Sequence, residues 1–355
     1  MSFAWLFANS IFRTVFLFSN SIKQVVLQNS TIKVPWEEIN CDSILPTDFT
    51  TWFLDEEASQ IAESINANIS TNPPYRLNLY RLNLSTFLVL SIHHSLFDGV
   101  SLPRLISYAE DLIADRNIPE NIGALSPVLQ RIYSYDHDKA ISFWKKELNG
   151  FKRPSLSNKV QARSSSKTLT ETLVLKLGLS EWSNRAARSK VTLQALLMSA
   201  FGIVLTRKVY HRSDVCYGVR VFLRTSRQNS ETSQVIRSGR SFENEGLNNA
   251  QCPLISVLPF RFNFNRDILH ETQSSIARIL EFEHIPLNKV QQWVCPGENL
   301  IEILFSVTEV VHLTSQLWDV ISSVQPETEV RQSSFLFSLT MTSPPVSLGC
   351  RSIAR

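Results

Sequence analysis

Two adjacent histidines and an aspartate lie close together in the stretch SIHHSLFDGVSL, residues 91–102. His93 and His94 follow a run of apolar residues, and Asp98 comes shortly after them. Imidazole and carboxylate groups can bind a metal ion, transfer a proton, or hold a loop together. The surrounding sequence has to discriminate among these three roles.

A metal or nucleophile site has little support in this pattern. Adjacent residues of a strand point to opposite faces of the sheet, so His93 and His94 are poorly placed to bind one ion together. The sequence has no HxH or HExxH motif to supply further ligands. Ser95 is next to the histidines but has no GxSxG motif around it. A plain turn, with both histidines packed in the core, stays open as an alternative.

The predicted elements place the motif where a strand leaves the core and a helix begins. Residues 75–92 have the pattern of two strands, the second a continuous buried run from Phe87 to Ile92. Residues 100–116 have the pattern of a helix with Pro103 in its first turn, where proline is tolerated. Loops at such positions often carry catalytic groups, because a rigid scaffold positions them and solvent reaches them.

The remaining segments predict a mixed α/β fold along the whole chain. A plausible N-cap, Thr192, precedes a long apolar helix. The prolines of 253–264 favour a strand near the edge of its sheet. The expected helices are 59–69, 138–151, 267–282 and two within 179–209, and the expected strands lie within 21–35 and at 214–219, 253–264 and 300–308.

The composition of the chain indicates its size class and makes some classes of function unexpected. The chain has 355 residues, 43% of them hydrophobic, which is enough for two domains of ordinary size. The formal net charge is +3 and the basic residues are scattered, so nucleic-acid binding is not expected. The five cysteines form no CxxC pair, which favours reduced thiols and a cytoplasmic location.

The apolar N-terminus, MSFAWLFANSIFRTVFLF, is interrupted by Asn9, Ser10, Arg13 and Thr14. No run of 18 apolar residues results, so this segment is expected to be a buried helix running into a strand. The sequence therefore predicts no association with a membrane.

The string HHxxxDG, here His93 to Gly99, resembles the signature of the condensation domains of nonribosomal peptide synthetases. The resemblance extends from about Phe12 to Val307 and is closest to fungal synthetases of the siderophore type. Further stretches that resemble family segments in the same order are FRTVF (12–16), AISFWKKELNGF (140–151), VTLQALLMSAFGIVLTR (191–207), SGRSFENEGLNN (238–249), PLISVLPFRFNF (253–264) and HIPLNKVQQW (284–293).

This resemblance implies an α/β fold of two chloramphenicol-acetyltransferase-like lobes, arranged as a V-shaped pseudodimer around a central substrate tunnel. The first lobe, residues 1–151, would carry the HHxxxDG motif, and residues 152–168 would form a linker. The second lobe, residues 169–355, is expected to be incomplete and to contain an insert near 219–237.

The resemblance also implies a role for each site residue. His94 would be catalytic and face the tunnel, while His93 would point into the lobe as a structural residue. Asp98 would pair with Arg13 and hold the loop, and Gly99 would leave room for a pantetheine arm. No cofactor or metal would be bound intrinsically. The substrates would arrive as thioesters on the 4'-phosphopantetheine of donor and acceptor peptidyl carrier proteins in adjacent synthetase modules, and an amide would form.

Some features depart from the family pattern. The polar stretch 219–237 separates segments that the family joins almost directly, the segment before Arg13 is abbreviated, and the match fades after Val307. No carrier or adenylation motif is found in the sequence. Two alternatives therefore stay open, a free-standing acyltransferase that uses acyl-CoA and an inactive, truncated remnant. The first would often carry a DFGWG-like motif, which this sequence lacks.

Overall fold

The fold is described from a computed structural model with side chains. It describes residues 9–19, 22–28, 33–83, 85–98, 101–114, 116, 126–153, 169–174, 177–222, 251–264, 267–309, 335–341 and 347–352. The chain divides into two compact units. The first comprises the described residues of Met1–Leu129 and of Glu245–Pro253, and the second the described residues of Gln130–Asn244, Leu254–His312 and Pro326–Arg355.

The first unit contains a hairpin, a three-stranded sheet and several helices. The hairpin is β1 (Thr14–Phe18) with β2 (Ile22–Val26), and the sheet has the order β3 (Trp36–Asn40), β4 (Tyr75–Arg81), β5 (Thr86–Ile92). β3 is parallel to β4, and β4 is antiparallel to β5. The helices are α1 (Phe49–Trp52), α2 (Ala58–Ala67) and α3 (Ser101–Ile113), with a π turn, Phe53–Glu57, between the first two. The next helix, α4 (Ser126–Tyr133), contains the boundary between the two units.

The predicted pair of strands in 75–92 is confirmed, but the second strand is not a buried central one. β5 lies at the edge of the described sheet and pairs with β4 alone. Its residues are half-buried or exposed, and Leu88 is 52% exposed. The apolar composition of a strand does not distinguish a central position from an edge, because strand order depends on distant segments.

The N-terminal segment begins, within the described residues, with a short 3-10 helix. Ser10–Arg13 form this turn and lead directly into β1. The expected helix running into a strand is therefore present in this short form, and residues 1–8 lie outside the described part. Phe12 is fully buried and packs edge-on against Tyr75, with ring centroids 4.9 Å apart.

The second unit is built on a six-stranded mixed sheet. Its order is β6 (Leu169–Val174), β11 (Ser347–Ser352), β10 (Phe335–Met341), β9 (Ile303–Glu309), β7 (Asp214–Phe222), β8 (Ile255–Asn263). β9 is parallel to β10 and to β7, and the other pairs are antiparallel. β8 lies at the edge, as its prolines predict. The helices are α5 (His137–Glu147), α6 (Leu179–Arg188), α7 (Leu193–Val204), α8 (Ile268–Leu280) and α9 (Leu287–Val294).

Helix α5 belongs to the second unit, although the sequence analysis assigned it to the first lobe. Trp144 is fully buried and Leu148 nearly so, both within the core of the second unit. Phe143 stacks on Phe282, with ring centroids 4.2 Å apart. The chain thus changes unit at residue 130. The linker expected at 152–168 stays a prediction, since residues 154–168 lie outside the described part. The apolar side chains of α5 are buried in the core of the second unit, and this packing explains why the helix belongs to that unit.

Two corrections concern the second sheet. Residues 219–222, expected to begin an insert, continue β7 and pair with residues 255–258 of β8, while residues 223–250 lie outside the described part. The second concerns the segment after Val307, where the match to the family pattern was found to fade. Ser347–Ser352 nevertheless forms β11, which pairs with β10 and β6.

The two helices predicted in 179–209 are confirmed, with Thr192 as the N-cap of α7. Its Oγ1 accepts the Ala195 backbone N–H at 3.2 Å. Among the described residues no single helix is long and apolar enough to span a membrane. The segments Ser180–Arg188 and Leu193–Val209 meet the length and composition requirement only together, and they are bent by 89°.

Arg261 of β8 joins two parts of the second unit. Its Nε and Nη2 each donate to one carboxylate oxygen of Asp214 at 2.9 Å. Its Nη1 donates to the carbonyl oxygen of Asn149 at 2.8 Å, in the turn after α5. The carboxylate beside the guanidinium raises the pKa of Arg261. One planar side chain therefore fixes β7, β8 and the end of α5.

We expect Arg261→Lys to lower the free energy of unfolding by about 2 kcal/mol, because an ammonium group cannot reproduce two parallel hydrogen bonds and a third to a carbonyl. Urea unfolding would measure the loss. Arg278→Lys is the matched control, since the Arg278 side chain is 46% exposed and pairs with Glu147 at the surface. Its expected cost is below about 1 kcal/mol. Equal losses in the two variants would contradict this account of Arg261.

Candidate functional site

The two histidines lie at the end of β5, where the strand turns towards α3. The last paired residue of β5 is Ile92, which lies opposite Tyr75 of β4. The His93 backbone N–H donates to the carbonyl oxygen of Pro74 at 2.9 Å and so extends the strand pairing by one step. Burial raises the pKa of Tyr75 above its ordinary value, so this hydroxyl stays protonated. The sheet thus fixes where the turn begins.

His93 uses one ring nitrogen to stabilise the turn. Its Nδ1 accepts the Ser95 backbone N–H at 3.1 Å and lies 2.8 Å from Ser95 Oγ. This contact caps a single 3-10 turn, His94–Leu96. Because Nδ1 accepts a hydrogen bond, the ring proton of neutral His93 is on Nε2. His93 is therefore engaged in local structure.

His94 is held in a different way. Its ring stacks on the ring of Phe97, with centroids 4.7 Å apart and an angle of 27° between the planes. The residue is half-buried. Stacking restrains the plane of the imidazole while its nitrogens stay at the ring edge, where hydrogen bonds are made. The turn thus presents two neighbouring imidazoles in two different settings.

Asp98 caps the helix that follows the turn. It is fully buried, and its Oδ1 accepts the Ser101 backbone N–H at 2.7 Å. Ser101 Oγ in turn accepts the Asp98 backbone N–H at 2.7 Å. The Leu102 N–H donates to the Asp98 carbonyl at 3.1 Å, as the first bond of a helix does. Reciprocal bonds of this kind form a capping box at a helix N-terminus.

The predicted partner of Asp98 was Arg13, and the structure gives a different geometry. Arg13 Nη1 donates to the carbonyl oxygen of Leu27 at 2.6 Å. The Arg13 Nε is buried and has no hydrogen-bond partner among the described residues. No ion pair joins Arg13 to Asp98 in the described part of the chain, and one hydrogen bond of this carboxylate is from the Ser101 backbone N–H. Gly99, the next site residue of the sequence prediction, lies outside the described residues.

Ser101 is a site residue that sequence reasoning missed. A signal was available, because Asp98 and Ser101 are three residues apart at the start of a predicted helix, which is capping-box spacing. Ser95 was noted only as an unsupported nucleophile. Its contacts with His93 make it a structural partner of the turn.

We expect Asp98→Ala to lower the free energy of unfolding by about 1–3 kcal/mol, since it removes the cap and leaves the Ser101 N–H without its acceptor. Asp98→Asn keeps a side-chain oxygen at this position and should cost less. Thermal and urea unfolding of both variants would measure the difference. Equal losses would indicate that the negative charge matters and not the cap, which would revive a pairing of Asp98 with a cation.

Comparison with known families identifies the fold to which this turn belongs. The family model described as Condensation domain matches residues 5–342, nearly the whole chain. The chain belongs to the condensation domain family. The family resemblance noted from the sequence is thus confirmed for this condensation domain as a whole, and the roles of His93, His94 and Asp98 stay predictions.

Curated relatives of the condensation domain are fungal synthetases. It is 34% identical over 336 residues to nonribosomal peptide synthetase NPS2 of Ceriporiopsis subvermispora, covering 91% of this chain and 13% of that protein. It is 34% identical over 316 residues to coprinoferrin synthetase of Coprinopsis cinerea, covering 88% of this chain and 12% of that protein. The chain thus spans about an eighth of the length of these relatives.

Solved structures confirm the fold class. The condensation domain from the monacolin K polyketide synthase MokA superposes with a TM-score of 0.69 at 14% identity, covering 99% of this chain and 82% of that one. At this level of identity the likeness shows the fold alone. The mixed α/β structure in two units agrees with it, and the sequence expectation of an acetyltransferase-like α/β fold is confirmed. Amide bond formation is the general function of the family.

Proposed function

We propose that this condensation domain catalyses amide bond formation between an acyl or aminoacyl thioester and an amine. Both substrates would be carried on the 4'-phosphopantetheine arms of donor and acceptor carrier proteins. The observation that carries the proposal is that the two histidines of the turn are held by different contacts. His93 Nδ1 is engaged with Ser95, whereas the ring of the neighbouring His94 is oriented by stacking on Phe97.

The chemistry requires little more than alignment and the movement of one proton. The amine nitrogen attacks the thioester carbonyl, a C–N bond forms, and the C–S bond breaks to release the pantetheine thiol. A thioester is already activated, so positioning supplies much of the rate enhancement. His94 would either accept the proton lost by the amine or act as a hydrogen-bond partner that orients the amine or the tetrahedral species.

The other motif residues would support this geometry. His93 and Asp98 would hold the turn through Ser95 and Ser101. Arg13 would stabilise the N-terminal segment by its bond to Leu27. Gly99 would leave room for the pantetheine arm, which stays a prediction from the family pattern. The relatives named above support partners within a multidomain synthetase, and a product of the siderophore type is proposed on the same ground.

The test is an amide-forming assay with the purified chain. Aminoacyl thioesters of pantetheine would serve as donors and a panel of aminoacyl thioesters as acceptors, with product amide detected by mass spectrometry. The same donors attached to coenzyme A would be assayed in parallel. We expect amide product above the buffer rate from carrier-type thioesters.

Two other outcomes would redirect the proposal. Turnover restricted to coenzyme A thioesters would favour the free-standing acyltransferase. A folded chain that gives no product from any donor, although the same panel reacts with an active relative as positive control, would favour the inactive remnant.

We also propose a cytoplasmic location. Cys41, Cys216, Cys252 and Cys295 carry free thiols. Burial raises the pKa of the Cys216 thiol above its ordinary value, which keeps it protonated and unreactive. Reduced thiols of this kind fit a reducing compartment. Fractionation of the native host would test the location.

A further inference from the structure

The second unit carries a basic patch at the end of α7, defined by Val204, Arg207, Lys208, His211, Arg212 and Phe264. Val204 is 50% exposed and Phe264 is 37% exposed. The four basic residues are also exposed. Large apolar side chains and cations thus share one region of the surface, away from the core that the rest of α7 helps to form.

The local backbone brings these residues together. After Val204 the helix widens into a π turn, Leu205–Val209, closed by a bond from the Tyr210 N–H to the Leu205 carbonyl at 2.9 Å. His211 then adopts a left-handed conformation with φ 53°. The Phe264 N–H donates to the Ser213 carbonyl at 2.8 Å, which places the end of β8 beside this reversal. π turns and left-handed residues other than glycine are uncommon and concentrate at functional sites.

Among the described residues, the basic side chains of the patch have no acidic partners. Within the described part of the chain, no carboxylate forms an ion pair with Arg207, Lys208, His211 or Arg212. Arginines elsewhere in the second unit do have such partners, for instance Arg185 with Glu181 and Arg278 with Glu147. The Arg207 guanidinium instead lies over the ring of Phe264, with its carbon 4.6 Å from the ring centroid. This contact orients a cation at the surface and leaves its charge available.

We propose that the basic patch is a docking surface for an acidic helix of a partner protein, whose carboxylates pair with Arg207, Lys208 and Arg212 around an apolar residue that packs on Val204 and Phe264. Complementary charge favours this occupant and would steer its approach. The apolar centre needs an apolar counterpart, as protein interfaces have. The inference does not rest on the catalytic role of His94.

Two other classes of partner fit less well. A nucleic acid would be expected to contact a longer basic stripe, and its phosphates would form no apolar contact with Val204. An anionic membrane would be expected to take up a larger apolar face than these two side chains provide. Both are outcomes that the experiment distinguishes.

The experiment measures binding of a defined probe to the whole chain. The probe is a fluorescein-labelled helical peptide with glutamates on one face around a single leucine, followed by fluorescence anisotropy. We expect saturable binding that weakens as ionic strength rises from about 0.05 M to about 0.5 M. The charge reversal Arg207→Glu with Lys208→Glu should weaken binding by about tenfold or more, and Phe264→Ala should weaken it to a smaller extent.

The matched control is Lys146→Glu with Lys289→Glu, which changes net charge by the same amount at exposed sites outside the patch. Circular dichroism and amide-forming activity should stay unchanged in both double variants, which separates this proposal from the proposed function. Equal losses in patch and control variants, or no binding of the peptide, would overturn it. Binding of a single-stranded oligonucleotide or of phosphatidylserine vesicles more tightly than the peptide, with the same dependence on Arg207 and Lys208, would also overturn it.

Discussion

Replacing His94 with alanine is expected to lower the rate of amide formation by about 10²–10⁴-fold while the protein stays folded. The imidazole is the group proposed to accept or orient the proton of the attacking amine, and alanine can do neither. The stacked contact with Phe97 that alanine removes is worth about 0.5–1.5 kcal/mol, which is small compared with the stability of a folded domain. The rate should be measured with the same thioester panel, alongside circular dichroism of the variant.

Two comparisons make this result specific. His270→Ala removes an exposed imidazole of α8 that pairs with Asp267, and it should leave the rate unchanged. The second comparison is His94→Gln, whose amide can form hydrogen bonds but cannot take up a proton. A rate close to that of the native chain would indicate that His94 orients the amine, and a loss as large as that of His94→Ala would indicate that it accepts the proton. A fully active His94→Ala variant would remove this residue from the mechanism.

Replacing Trp144 with alanine is expected to lower the free energy of unfolding of the second unit by about 3–5 kcal/mol. The indole is fully buried among the helices and strands of that unit, and its removal leaves a cavity that the neighbouring elements cannot fill. Urea unfolding monitored by far-ultraviolet circular dichroism would measure the loss. We expect this to be among the largest single-residue effects on stability in the chain.

Trp144→Phe is the matched control for this cavity. The indole Nε1 of Trp144 is buried and has no hydrogen-bond partner among the described residues, so its N–H gains little from burial. Phenylalanine keeps most of the apolar volume and removes that unsatisfied donor. We expect a loss of about 1 kcal/mol or less. A Trp144→Ala loss as small as that of Trp144→Phe would contradict the packing of α5 in the second unit.

Features that depend on short-range sequence could be predicted. The periodicity of α3, the Thr192 cap of α7 and the strands β4 and β5 each arise from residues a few positions apart. The HHxxxDG string identified the family for a related reason. The specificity of this string comes from the residue types and their spacing within a single turn. The order of several further segments that resemble the family increased that specificity.

Features that depend on distant partners could not be predicted. The edge position of β5 is set by which strands pair beside it, and its own residues do not encode that. The assignment of α5 required knowing which core receives Trp144. The same limit applies to Arg13, whose bond to Leu27 follows from the β1–β2 hairpin and not from the HHxxxDG motif. The capping box formed by Asp98 and Ser101 did have a local signal, which was overlooked.

The bond between Asn9 and Gln251 has a consequence for how the chain is made. Asn9 Nδ2 donates to Gln251 Oε1, both side chains are buried in the first unit, and the two residues are 242 positions apart. At about 5–20 residues per second, Gln251 leaves the ribosome about 12–48 s after Asn9. An expressed fragment of residues 1–151 would lack Gln251 and would carry α5 without the core that buries Trp144. Fragment boundaries for expression should therefore enclose both units.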